Sequence, residues 1–303
     1  MNRARNLSLF LLFTISLSFS AFSQYTETIN SNRPGQSQGA FAVGNGVLQG
    51  ELGAYSTNEE HNLLNYKAEG WGTDFAIRYG FLMEQLEINL EGSYLNDDVT
   101  YTSGNYPDFH ESGFPKLTAG VKYLIYDPYK KERKINLYSY HANHGVKWRD
   151  LVPAVAAYAG INYIHSDNPY LPTSQEGMSP KVMLITQHNW GRFVWTNNFI
   201  GDQIIMTDYP TYAWITTMTH SFTSRIAGFV EYQMIKSDIY ADDIFRFGGA
   251  YLITKDFQVD INALTNFKDT PSKFQYGLGV SYRLDFHDHD ELLPTEGSEL
   301  DRK

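Results

Sequence analysis

Residues Phe274–Phe286 read FQYGLGVSYRLDF, and every second side chain in this segment is apolar or aromatic. A period of two over thirteen residues predicts a β-strand with one apolar face and one polar face. That length is long for a soluble sheet, but a tilted strand that crosses a bilayer needs about 9–11 residues. The aromatic residues near both ends of the apolar face are typical of membrane-interface girdles. We therefore favour a strand in a membrane barrel over a strand in a soluble protein, and the pattern of the other strands decides between the two.

The N-terminus predicts export. Residues 1–23 combine a basic start at Arg3 and Arg5, an apolar run from Leu7 to about Phe19, and small residues just before Gln24. These features are typical of a secretory signal peptide that is cleaved before Gln24. An uncleaved membrane anchor is the alternative, but the apolar run is shorter than the roughly 20 residues that a helical span needs.

The composition narrows the class of protein. The chain of 303 residues has no cysteine, which removes disulfides and thiolate metal sites, and its formal net charge of −10 argues against a nucleic-acid partner. Its 22 Tyr and 19 Phe favour strands and membrane interfaces. No apolar run after residue 23 is long enough for a helical span. The exported protein is therefore periplasmic, secreted or a barrel, since only a closed barrel crosses lipid without helices.

The alternation recurs along the chain and predicts an all-β fold. Leu86–Tyr94 is the clearest case, because Glu87, Asn89 and Glu91 follow one another on one face and cannot face lipid. Counting the ambiguous segments within 181–222, we predict one closed antiparallel transmembrane β-barrel of about twelve strands. An even number of strands puts both termini in the periplasm. Short and longer connections alternate, as expected for periplasmic turns and extracellular loops.

We expect four segments in the chain. They are the signal peptide at 1–23, a turn-rich N-terminal arm at 24–46 in the periplasm or lumen, the barrel at 47–286, and a polar, disordered periplasmic tail at 287–303. One long basic and aromatic connection, 127–150, lies on the predicted periplasmic side. It is either a solvated linker or an element that binds the membrane interface or a partner protein.

The inward face of the barrel carries the strongest functional signal, because it holds charges of both signs. These charges either pair with one another and with the arm through Arg33, which fills the lumen, or line a narrow water-filled path. We favour the filled lumen and regard Arg33 as a candidate internal latch. The predicted lumen-lining residues are Glu51, Arg78, Glu87, Glu91, Lys122, Glu231, Arg246, Asp260, Arg283 and Asp285.

Five segments in the first half of the chain follow a recognisable order: SNRPGQ at 31–36, GVLQGELG at 46–53, FPKL at 114–117, GVKY at 120–123, and Trp148 through PAV at 153–155. With these segments the chain resembles a known family of outer-membrane proteins, the "putative MetA-pathway of phenol degradation" family. Asn32 departs from the Asp usual in this family, and Asn45 stands where Pro or Lys is common. The resemblance implies an outer-membrane barrel and a transport function, since the family's members are described as transporters.

Catalytic and metal-binding patterns are weak in this sequence. A serine hydrolase needs a nucleophile beside a base, and no histidine lies near a Gly-x-Ser-x-Gly element, so we predict no enzymatic activity. His287–Asp290, HDHD, offers ligands suited to Zn or Ni, but adventitious binding is the favoured interpretation. Asn96–Asp98 lacks the bidentate Glu of a calcium loop. We expect no cofactor and no functional metal site.

The sequence predicts a passive channel or uptake barrel for a small solute, aromatic or otherwise apolar. It would lie in the outer membrane of a Gram-negative bacterium, with outer-membrane lipids and the solute as partners. The alternative is a non-transporting accessory or scaffold subunit that binds periplasmic or outer-membrane proteins through 127–150 and the C-terminal tail. An outer-membrane lipid hydrolase is the least favoured reading.

Overall fold

Antiparallel β-strands make up most of the chain in the computed structural model, which describes residues 28–103, 106–130, 151–171, 176–205 and 209–286. Across those ranges, no helix is long and apolar enough to cross a membrane. The strands are β1 (Val47–His61), β2 (Tyr66–Gly80), β3 (Leu86–Tyr101), β4 (Phe109–Gly113), β5 (Leu117–Tyr126), β6 (Ala154–Ile164), β7 (Gly177–Trp190), β8 (Phe193–Asp202), β9 (Thr211–Ser221), β10 (Ile226–Lys236), β11 (Ala241–Thr254), β12 (Phe257–Asn266) and β13 (Ser272–Asp285).

Twelve of these strands close into a barrel. β1 pairs with β2 on one side and with β13 on the other, and the remaining strands pair in chain order, with β3 joined to β5. The short β4 pairs only with Leu95–Val99 of β3 and so extends the wall above β5. The predicted all-β barrel of about twelve strands is confirmed. β4 is an addition that the alternation did not predict.

The two ends of the barrel differ in the length of their connections. Short turns at 81–85, 191–192, 222–225 and 255–256 lie at one end, and the loops that include 102–108 and 165–176 lie at the other. We assign the end with short turns to the periplasm, as in outer-membrane barrels. The long connection between β5 and β6 is the exception at this end.

Side chains alternate between the two surfaces of the wall. On β13, Leu278 and Tyr282 are 65% and 51% exposed on the outside, whereas Ser281 and Arg283 are 0% and 3% exposed on the inside. A soluble protein buries its apolar side chains, but here the apolar residues cover the outside and the polar residues lie within. A closed barrel with this inverted pattern is suited to lipid.

Several sequence predictions fall on residues that the structure does not describe. They are the signal peptide at 1–23, residues 131–150 of the long connection, the HDHD motif at 287–290 and the rest of the tail to residue 303. The periplasmic partner surfaces assigned to the connection and the tail therefore stay predictions.

Replacing Leu278 by Arg tests the lipid-facing orientation of the wall. Leu278 lies midway along β13, so we expect the free energy of unfolding in lipid vesicles to fall by about 2–4 kcal/mol, because a charge at the bilayer midplane loses its hydration. Phe286→Arg, at the periplasmic end of the same face, is the control and should cost about 0–1 kcal/mol. Equal and small losses for both variants in urea titrations would contradict this orientation.

Candidate functional site

The N-terminal arm, described from residue 28 to residue 46, runs through the interior of the barrel. It has no strand partner, so its backbone N–H groups need other acceptors where water is excluded. Inward-facing carboxylates and amides of the wall supply them. Backbone N–H groups donate from Asn32 to Glu51 Oε1 (3.2 Å), from Gln38 to Asn198 Oδ1 (2.6 Å), from Ala40 to Gln187 Oε1 (2.9 Å) and from Val43 to Glu87 Oε2 (3.0 Å).

Wall side chains also donate to the carbonyl groups of the arm. Lys122 Nζ donates to Gly39 O and to Phe41 O, both at 3.0 Å. Arg78 Nη1 donates to Asn30 O at 2.7 Å, and Asn198 Nδ2 donates to Gln38 O at 2.9 Å. The arm is therefore held by polar contacts in both directions along most of its length.

Arg33 lies between two carboxylates on different strands. Its Nη1 is 3.2 Å from Asp74 Oδ2 on β2, and its Nη2 is 3.2 Å from Asp260 Oδ1 on β12. Burial would lower the pKa of Arg33, but the attraction of Asp260 and Asp74 outweighs it and raises the pKa above its ordinary value. The guanidinium therefore stays charged.

A pair of glycines makes room for the Arg33 guanidinium. Gly53 on β1 and Gly279 on β13 are directly paired across the wall, and both have inward positions. A Cβ at either glycine would clash with the guanidinium atoms of Arg33. Any side chain at these two positions would thus displace Arg33 from its carboxylate partners.

Glu231 on β10 is a second anchor for the arm. Its carboxylate accepts the backbone N–H of Gln36 at 3.0 Å and of Ser37 at 3.2 Å. Thr217 Oγ1 donates to the same carboxylate at 2.7 Å, and Arg246 forms an ion pair with it. One buried acid thus binds the arm, a neighbouring strand and a wall cation.

A four-charge network lies at the periplasmic half of the wall. Arg78 donates to both oxygens of Glu87 at 2.9 Å and pairs with Glu51 at 3.2 Å. Lys122 Nζ is 3.3 Å from Glu87 Oε1. All four side chains are buried. Two acids and two bases therefore neutralise one another within the wall, beside the arm that each of them also contacts.

The remaining predicted inward residues also lie on the inside of the barrel. Glu91 on β3 pairs with Lys181 on β7 and accepts from Gln38 Nε2 of the arm at 3.0 Å. Arg283 and Asp285 pair with each other at 3.0 Å near the periplasmic end of β13. Their role in lining a path for solute stays a prediction.

An open vestibule of about 510 Å³ lies on the outer side of the arm. Its floor includes Arg33 and Gln36 of the arm. One wall, on β1–β3, carries Tyr55, Asp74 and Glu91. The opposite side, on β7–β10, carries the polar side chains of Lys181, Asp202, Thr211 and Gln233 together with an apolar patch, which we call the apolar wall. The apolar wall consists of Met183, Ile200, Ala213, Ile215 and Ile235.

Several residues of this site were not predicted to face the lumen. Asp74 was not among the predicted lumen-lining residues, although its spacing of four from Arg78 places both on one face of β2. Lys181 and Asp202 lie in the segment 181–222, whose facing was ambiguous. Asp202 forms an ion pair with Lys116 at the edge of the vestibule.

The described residues bring no group of three or more His, Asp and Glu side chains into metal-binding proximity. Within the Asn96–Asp98 segment, Asp98 Oδ1 lies 2.8 Å from His110 Nδ1 on the neighbouring β4. This cluster is at the outer rim of the barrel and separate from the arm and the vestibule.

Comparisons with known proteins found a family model and several similar solved structures. No curated protein matches the chain significantly. Among solved structures, the chain is similar to the COG4313 outer membrane channel from Pseudomonas putida F1, with 13% identity over 84% of this chain and 100% of that chain and a TM-score of 0.49. It is also similar to the NanC porin (11% identity, 76% of this chain, 100% of that chain, TM-score 0.47) and to a TodX deltaS2S3 mutant monoaromatic hydrocarbon channel (8%, 80%, 91%, 0.38).

A family model described as "Putative MetA-pathway of phenol degradation" matches residues 31–284. The match begins inside the arm, two residues before Arg33, and ends on the last strand, so it includes the arm together with the barrel. The resemblance noted in the sequence is confirmed, and the chain belongs to this family.

Proposed function

We propose that this protein is a passive outer-membrane channel for a small solute and that the arm is its removable plug. The observation that carries the proposal is the arm inside the lumen, held by hydrogen bonds and ion pairs with an open vestibule above it. Water can replace the polar contacts of the arm at small net cost. Its apolar burial is confined to a short stretch, in which Ala40 and Phe41 pack on the cluster around Leu124 and Ile185 and Val43 is buried, so the cost of release is limited. A plug bound in this way can leave its site without unfolding the barrel.

The vestibule favours a small solute with an apolar body and a polar end. A volume of about 510 Å³ is typical of small-molecule sites. One wall offers the apolar side chains of Met183, Ile200 and Ile215, and the opposite wall offers the polar groups of Tyr55 and Asp74. The family description names phenol degradation, and a phenol, with one ring and one hydroxyl, combines the two properties.

The charges around the vestibule favour an uncharged solute. Lys116 pairs with Asp202, and Lys181 pairs with Glu91. Arg33 pairs with Asp74 and Asp260. Paired charges leave little net field to attract ions of one sign. Discrimination among solutes would then depend on apolar contact and hydrogen bonding.

Arg33→Ala should open the channel. The substitution leaves Asp74 and Asp260 without the cation that binds both, and about 1.4 kcal/mol of lost arm binding shifts the closed-to-open ratio tenfold. We expect the open probability in planar bilayers to rise about tenfold or more relative to the wild-type protein. Deletion of residues 24–46 should raise it further.

A reversible disulfide provides the control for this opening. The chain has no cysteine, and the hydroxyl oxygens of Ser31 in the arm and Ser281 in the wall are 2.8 Å apart. In an Arg33→Ala protein that also carries Ser31→Cys and Ser281→Cys, oxidation should restore closure and reductant should reopen the channel. If the oxidised protein, with the disulfide verified by mass, conducts as freely as the reduced protein, the arm is not the plug.

The apolar wall should set solute preference. In the open Arg33→Ala protein, Ile215→Asn and Ile235→Asn each replace three apolar carbons with a carboxamide. A loss of contact with the solute equal to one methylene is worth ~0.8 kcal/mol or about fourfold. We expect each to lower the permeation of phenyl glucoside relative to methyl glucoside by about that factor in liposome-swelling assays. Gln275→Asn, on the polar side of the vestibule, is the control and should leave the ratio unchanged. An unchanged ratio in all three variants would contradict apolar selection while leaving the plug intact as a proposal.

A further inference from the structure

A second cavity, of about 680 Å³, lies on the outer surface of the barrel. It follows a row of paired positions that crosses five strands from β8 to β12. Two glycines at the centre of the row leave the surface hollow, and aromatic and aliphatic side chains form its sides. The row runs Phe193, His220, Gly228, Gly249 and Ile261. We call this hollow the outer groove.

Aromatic rings mark the periplasmic mouth of the outer groove. The ring of His220 lies 4.2 Å from that of Phe193 and 4.8 Å from that of Phe222, measured between centroids. These residues are at the ends of β8 and β9 that adjoin the short turns, where membrane barrels place their aromatic girdles. The outer groove therefore starts at the lipid–water boundary and extends towards the middle of the bilayer.

The turns beside this mouth are basic. Arg192, Arg225 and Lys255 lie on three successive short turns, and all three are exposed. The one acid on these turns is Asp256. Arg192 Nη1 donates to Phe222 O at 3.1 Å, which places its guanidinium at the mouth of the outer groove. The turn between β2 and β3, elsewhere on the same rim, carries Glu84 and no cation.

The three cations are available to an external anion. In the parts of the chain that the structure describes, no carboxylate forms an ion pair with Arg192, Arg225 or Lys255. Guanidinium groups bind phosphate with paired hydrogen bonds, and basic side chains beside a membrane attract anionic lipids. An apolar groove and a basic mouth thus occur together at the depth where a phospholipid has its chains and its phosphate.

We propose that the outer groove binds one anionic glycerophospholipid of the periplasmic leaflet. An acyl chain lies along Gly228 and Gly249, and the phosphate contacts Arg192, Arg225 and Lys255. The side chains that the proposal uses, those of Phe193, His220 and Ile261 and of the three cations, lie on the outside of the wall or on its turns, away from the vestibule; of the described lining residues, Phe229, whose ring closes the bottom of the groove from the inside, is the one beside the arm. The occupant of the outer groove is a lipid rather than the transported solute.

Native mass spectrometry of the mature protein, delipidated and then mixed with phosphatidylglycerol or phosphatidylcholine of the same chains, tests the proposal. We expect one saturable site that binds phosphatidylglycerol about tenfold more tightly. The triple variant Arg192→Gln, Arg225→Gln and Lys255→Gln should reduce that preference to less than about twofold. The matched control, Lys67→Gln, Lys236→Gln and Lys268→Gln at the outer end, should keep it.

A groove-filling variant tests the position of the acyl chain. Ala263→Leu adds bulk in the outer groove on the lipid-facing side, where the barrel fold tolerates it, and should weaken binding of both lipids about tenfold. Heat-modified mobility on gels verifies that every variant is a folded barrel. Equal binding of the two lipids, non-saturable binding, or a preference that survives the triple variant would each overturn the proposal.

Discussion

Charge buried inside the barrel has to be neutralised, and this requirement ties the arm to the wall. An uncompensated buried charge costs several kcal/mol, so each inward acid needs a cation or several donors. Near the periplasmic end, Glu51 and Glu87 find Arg78 and Lys122 within the wall itself. Asp74 and Asp260 instead share Arg33, which belongs to the arm. Glu51 and Glu87 are thus balanced without the arm, as are Glu91 and Asp202 higher in the wall, whereas Asp74 and Asp260 are balanced by it.

This division makes the arm a separable element. The lower network keeps its ion pairs when the arm leaves, so the barrel retains its interior order, and Glu231 still has Arg246 and Thr217 as partners. The floor of the vestibule contains Arg33 and Gln36, so a solute in the vestibule touches the residues that hold the plug. A ligand that binds one arrangement of the arm more tightly than the other shifts the balance between them. In the channel that we propose, solute entry and plug release would share one surface.

The barrel could be predicted from its sequence because β1, β3 and β13 keep a strict period of two. The alternation fails in β8 and β9, where polar Asn197 and Thr216 lie on the outside and are bonded by the indole N–H groups of Trp214 (3.3 Å) and Trp195 (2.9 Å). These hydrogen bonds satisfy polar atoms at lipid-facing positions. Because polar residues then occur on both faces of β8 and β9, the alternation of apolar and polar residues is lost from the sequence. The partners of Arg33 depend on which strands come close to the arm, and the space beside Gly53 and Gly279 depends on the register between β1 and β13. Neither the strand neighbours nor the register can be derived from the sequence alone. β4 is short and pairs only with β3, so it has no periodicity to find.

A barrel whose interior charges are mutually paired selects solutes differently from one with an excess of one sign. An unpaired row of cations would create a field that draws anions and excludes cations. Here the ion pairs Lys116–Asp202 and Lys181–Glu91 cancel most of that field within the vestibule. The surface of the vestibule that is left for contact with a solute is apolar where Met183, Ile200 and Ile215 line it. In the channel that we propose, shape and desolvation would then be the means of discrimination, which suits a small uncharged molecule better than an ion.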